Sequence, residues 1–148
     1  MSAPFACPKY AAQNRVRNGP MTTTIHILII DMDAETLKAC EEILSSRKAT
    51  TVTTCDGRAA MREFGACNPD IVLTEMVMPE RDGIEVLREI KRAAPQTKVI
   101  AMSGGGASLP TEFVLHVARR LGADGTVSKP VNATRLLEAI ETVLSGSS

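Results

Sequence analysis

Four apolar stretches in this chain each end on a side chain capable of polar chemistry. Asp31 follows IHILII, Glu75 follows DIVLT, Ser103 closes TKVIAMS, and Lys129 follows DGTVS. Two carboxylates, a hydroxyl and an ammonium brought to one place form a site for a charged ligand. Glu75 is the most demanding of the four. It sits in VLTEMVMPERDG, where a buried strand delivers a charge that is costly unless it is partnered. Asp33, two positions after Asp31, is read instead as the cap of the helix that follows.

The elements between these residues alternate. AETLKACEEILSS spaces Leu37, Cys40, Ile43 and Leu44 on one helical face, and TTVTT is a β-branched strand poor enough in apolar residues to suit a sheet edge. GRAAMREFGA is a short helix. GIEVLREIKRAA turns Ile84, Val86, Leu87 and Ile90 inward behind an Asp82 cap. PTEFVLHVARRLGA has Pro110 in its first turn and Gly122 near its end, and NATRLLEAIETVLS starts from an Asn132 cap. Strands and helices in strict alternation imply a parallel sheet covered on both faces. With the three most aliphatic strands central, the expected architecture is α/β, a (βα)5 flavodoxin-like fold of order 2-1-3-4-5. The switch point then lies at the strand ends that carry the polar residues.

Composition limits the function. The 148 residues include 17 basic and 17 acidic side chains, which argues against nonspecific nucleic-acid or membrane binding. No apolar run approaches the ~20 residues needed to cross a bilayer. Cys7, Cys40, Cys55 and Cys67 show no metal-ligand spacing and fit reduced thiols in a cytoplasmic protein. Residues 1–22 lack periodicity and an apolar signal core, so they are expected to be a flexible extension before a single domain over residues 23–146. Met21 is an alternative start, and a short partner-binding arm is the other reading of this segment. The GGGASL stretch has neither a following Gly-Lys-Ser/Thr nor a GxGxxG on the first strand, and is read as a connection.

From Ile25 to about Leu144 the chain resembles the receiver domain of two-component response regulators. ILIIDMD stands at the family's acidic turn, PDIVLTEMVMPERDG at its phosphorylation segment, VIAMSG at its Ser/Thr and LGADGTVSKP at its Lys-Pro, with Pro130 as the proline. The resemblance implies an acid after strand 3 that accepts a phosphoryl group. It also implies Mg²⁺ held by the strand 1 acids and a loop carbonyl, here Val77, and a lysine and hydroxyl that close on the phosphate.

This sequence departs from that pattern at four places. Glu75 replaces aspartate and is one C–C bond, roughly 1.5 Å, longer, where in-line transfer tolerates little misplacement. Met32 replaces the second acid with a soft, neutral thioether, a poor partner for Mg²⁺. Thr126 stands where the family has a switching aromatic, and the segment between Ser103 and Lys129 is longer than usual. Asp31, Glu75 and Lys129 sum to a net charge of −1 instead of −2, so Mg²⁺ is expected to be weak or absent, with Asp31, Glu75 and Val77 as any remaining ligands. No other cofactor and no catalytic residue is expected.

The expected function is an atypical stand-alone receiver in phosphorelay-type signalling that acts through protein contact, with Glu75 partnering Lys129 and imitating part of the phosphate's charge. A histidine kinase, phosphotransfer protein or downstream effector would be its partner. The expected contact is the helix 4–strand 5–helix 5 face bearing Phe113, Leu115, His116, Arg119 and Arg120, by which the chain would also be a monomer or dimer. Phe113 is expected in the core and His116 exposed. The rival readings are a working phospho-acceptor, through Glu75 or a hydroxyl such as Thr74, and a flavodoxin-like cofactor binder.

Overall fold

The computed structural model describes residues 24–78, 82–104 and 109–146. The segment expected to be a flexible extension, the middle of the VMPERDG turn and most of the triple-glycine connection lie outside the described residues. In chain order the elements are β1 (Ile25–Ile30), α1 (Ala34–Ser45), β2 (Ala49–Thr54), α2 (Ala60–Cys67), β3 (Ile71–Glu75), α3 (Gly83–Ala93), β4 (Lys98–Ser103), α4 (Thr111–Arg120), β5 (Gly125–Ser128) and α5 (Ala133–Leu144). All strand pairings are parallel, in the order β2-β1-β3-β4-β5.

Side chains alternate across the sheet, as the pleat requires. Leu28, Ile30, Val72, Val99 and Ala101 meet the buried faces of α2, α3 and α4. Ile27, Ile29, Leu73, Ile100 and Met102 meet those of α1 and α5. Burial on both faces explains why β1, β3 and β4 read as unbroken aliphatic runs. The helices begin where short polar side chains can take orphan N–H groups. Asp33 accepts from the Glu35 amide, Asp82 from that of Ile84, and Asn132 from that of Arg135. One boundary differs from expectation: Pro110 is the extended residue before α4 and not part of its first turn. With φ fixed and no N–H to give, proline suits either position, so the residue type alone left the boundary one place uncertain.

Register places the site. Ile30 pairs with Thr74, Glu75 with Met102, and Ser103 with Ser128. The residues at or just beyond these positions, Asp31, Glu75, Ser103 and Lys129, therefore share one rim of the sheet. Behind Glu75 the start of α3 packs back on the strand end, and Gly83 N–H donates to the Met76 carbonyl at 3.0 Å. A Cβ on Gly83 would lie 2.0 Å from the Glu75 carbonyl oxygen and 2.6 Å from Met76 Cα. Both atoms are backbone and cannot step aside. Gly83→Ala is therefore expected to cost about 2–3 kcal/mol by overpacking, measured by urea unfolding, even though alanine normally favours a helix.

Candidate functional site

β1 ends by burying Asp31 completely, and β3 delivers Glu75 almost as deeply. Lys129, at the end of β5, answers both: its Nζ lies 2.5 Å from Asp31 Oδ2 and 2.6 Å from Glu75 Oε1. The other two carboxylate oxygens meet backbone. Asp31 Oδ1 accepts the Asp33 N–H at 2.9 Å, and Glu75 Oε2 accepts those of Met76 at 2.7 Å and Val77 at 2.9 Å. Glutamate's extra methylene lets the carboxylate curl back over its own following amides while still reaching the ammonium. Burial alone would pull the Lys129 ammonium down. Hydrogen bonds and charge from Asp31 and Glu75 outweigh it and hold the group above the ordinary lysine range.

The hydroxyl-bearing Ser103 is buried at the end of β4, and its carbonyl accepts the Lys129 N–H at 2.9 Å. Lys129 is joined to Pro130 by a cis peptide bond. The structure thus brings Asp31, Glu75, Ser103 and Lys129 to one place. Asp33 stays outside this group. It is exposed and receives the Thr36 hydroxyl at 2.8 Å; that bond first, and the Glu35 amide second, hold its carboxyl below the usual range. Beneath the pocket, burial and then the Asp31 charge push the Cys40 thiol up to about 11, which leaves it without thiolate reactivity at neutral pH.

The residues present offer Mg²⁺ few free oxygens. A hard divalent ion wants several free carboxylate or carbonyl oxygens, but every oxygen of Asp31 and Glu75 already faces an ammonium or an N–H group. Met32, next to Asp31, is 52% exposed, and its side chain offers only a thioether sulfur.

The expected partner residues divide between two sides of α4. Leu115 and Arg119 line a groove of about 680 Å³ between α4 and α5, floored by β5. There Arg119 Nη2 donates to the Thr126 hydroxyl at 2.8 Å, and Arg135 Nη1 reaches Ser128 Oγ at 3.4 Å. His116 and Arg120 are exposed. Phe113 corrects the sequence expectation: it is 52% exposed and faces the α3 side with Val77, Leu109 and Val117. Its neighbour Val114 takes the inward position, and helical periodicity cannot say which flank of a buried stripe is covered. Arg135 and Leu109 were not singled out in the sequence. The signal for Arg135 is its place in the first turn of α5.

Residues 27–141 match the family described as the response regulator receiver domain. The chain is 33% identical over 119 residues to the chemotaxis protein CheY of Bacillus subtilis, covering 80% of this chain and 96% of that protein. Among solved structures it is similar to a response regulator receiver domain protein of Clostridium thermocellum, with 31% identity and a TM-score of 0.73 over 82% of this chain and 95% of that one. It is also similar to NtrX of Brucella abortus, with 28% identity and a TM-score of 0.76 over 84% of this chain. This chain spans only 28% of NtrX.

Removing Lys129 leaves two buried carboxylates facing each other. Lys129→Met is expected to cost about 3 kcal/mol at neutral pH, read by urea unfolding. Because folding holds the ammonium above its unfolded value of 10.5, the folded state keeps the proton longer. The wild type's advantage over the variant should be full below that pH and shrink as pH rises through and beyond it.

Proposed function

The chain belongs to the response regulator receiver family, and from that premise we propose that it signals through protein contact without aspartyl phosphorylation. The observation that carries this reading is the state of Glu75. Its carboxylate already holds Lys129 and the amides of Met76 and Val77. An incoming phosphoryl group would need donors of this kind. The pocket satisfies them from within, so charge balance at the strand ends does not wait for a donor.

The surrounding departures support the same reading. The thioether of Met32 removes an oxygen that the family uses for its metal. Thr126 is held by Arg119, so α4 is tied to β5 by a hydrogen bond at the position of the switching aromatic. The Thr74 hydroxyl, the other candidate acceptor, is buried and donates to the Glu75 carbonyl at 3.1 Å, which disfavours it as a nucleophile.

The partner is a protein of a phosphorelay: a histidine kinase, a phosphotransfer protein or an effector. The α4–β5–α5 groove, with Leu115, Arg119 and Arg135 on its walls, is the surface offered to it. Balanced charge disfavours nucleic acid, and no helix among the described residues is long and apolar enough to cross a membrane. The cytoplasm is the compartment this reading implies.

Intact mass after incubation with acetyl phosphate and Mg²⁺ tests the reading. No phosphoryl adduct is expected on the wild type, and little on Met32→Asp or Glu75→Asp alone. The Met32→Asp/Glu75→Asp double variant should gain an adduct, because it restores both the oxygen ligand and the shorter nucleophile. A wild-type adduct that vanishes in Glu75→Ala would make Glu75 a live acceptor and overturn the proposal.

A further inference from the structure

The α3-facing side of α4 carries an apolar ladder with no covering element among the described residues. Leu109, Phe113 and Leu121 are 46%, 52% and 39% exposed, and Val117 between them is half-buried. Phe113, Val117 and Leu121 are spaced by four residues along one ridge of α4 and its C-cap, and Leu109, just before the extended Pro110, lines the same pocket as Phe113 and Val117. Val77, 43% exposed at the end of the β3 turn, extends the patch, and Met76, Ile84 and Val114 form its floor. Three of the six large apolar side chains exposed among the described residues line this one pocket, and Leu121 continues the α4 ridge. Scattered exposed apolar residues need no explanation, whereas a contiguous patch on a soluble chain marks a contact surface.

Charge says what kind of partner fits. The border of the patch is acidic where the helices start and basic where they end. On this side α3 has exposed Glu85 in its first turn and Arg92 in its last, and α4 has exposed Arg120 in its last, whereas Glu112 and Arg119 line the opposite groove and Lys91 is taken up by Thr97 and Asp124. Asp82 adds a further acid at the starting end. A parallel partner of the same kind would set acid on acid and base on base. An antiparallel one sets each acidic end against a basic end.

The ladder has the same reversal symmetry. Turned end for end about its midpoint, Leu109 meets Leu121 and Phe113 meets Val117, so each apolar rung finds an apolar rung. A surface complementary to itself under a twofold rotation is the requirement for an isologous dimer. We propose that this α4 ridge, with Val77, is a contact between two copies of the chain, paired antiparallel about a twofold axis. The contact lies on the opposite side of α4 from the α4–β5–α5 groove and leaves that groove open. It differs from the sequence expectation of a dimer through the groove itself, and it stands whether or not Glu75 accepts phosphate. One helix ridge and one loop residue make a small interface, below the about 1,200 Å² of stable complexes, so the dimer is weak and reversible.

Sedimentation equilibrium of the full chain from about 10 µM to about 1 mM, a range suited to weak complexes, tests this. The average mass should rise from 15.8 kDa toward twice that value. Phe113→Asp and Leu109→Ser, both at exposed positions, should weaken association by about tenfold or more while circular dichroism and melting stay near wild type. Arg120→Glu should weaken it as well, by placing acid against acid. Arg135→Glu, in the opposite groove, should leave it unchanged. A wild type that stays monomeric throughout would overturn the proposal. So would association that survives Phe113→Asp and Leu109→Ser, or that is lost in Arg135→Glu instead.

Discussion

The Lys129 ammonium, held between two buried carboxylates from different strands, is the constraint on which the rest of this structure depends. It offsets the cost of burying Asp31 and Glu75 at dry strand ends. One cation does not neutralise two anions, and the remainder is met by oriented backbone: the amides of Asp33, Met76 and Val77 all point at carboxylate oxygens. Those amides are available because the chain turns sharply just after each strand. The turn after β3 is fixed in turn by Gly83 lying against Glu75 and Met76. Strand order, turn geometry and charge balance are therefore one problem with one solution.

In the proposed reading, the family's chemistry and this chain's geometry part at the length of one side chain. A shorter acid at position 75 would present its oxygen outward, toward a donor. Glutamate folds back and takes donors that an anionic ligand would need. In that reading the output face is set by standing contacts, such as those of Arg119 to Thr126 and Arg135 to Ser128.

The sequence was legible wherever one residue type has one physical solution. Aliphatic runs became central strands, Asp33, Asp82 and Asn132 became caps, and polar residues closing four strands came to one rim because parallel strands share a direction. It was less legible where a choice depended on neighbours. The curl of Glu75 depends on where the amides of Met76 and Val77 point. Phe113 is a large apolar residue at the edge of a buried stripe, and only the empty space between α3 and α4 decides that it faces water. Pro110 fits two adjacent backbone positions equally well, and the chain took the outer one.

The two edges of the sheet are unequal in a way that bears on aggregation. β5 has only four residues, and the guanidinium groups of Arg119 and Arg135 lie along it; short length and positive charge both discourage another strand from adding there. At the other edge β2 reads ATTVTT, six β-branched or small residues with no charge and no proline, all partly accessible. That is the composition from which strand stacking grows. Its protection comes from the flanks, Arg47 and Lys48 before it and Asp56 after it, in the position of gatekeepers. If this chain self-assembles when its core is weakened, β2 is the edge on which the first foreign strand would be laid.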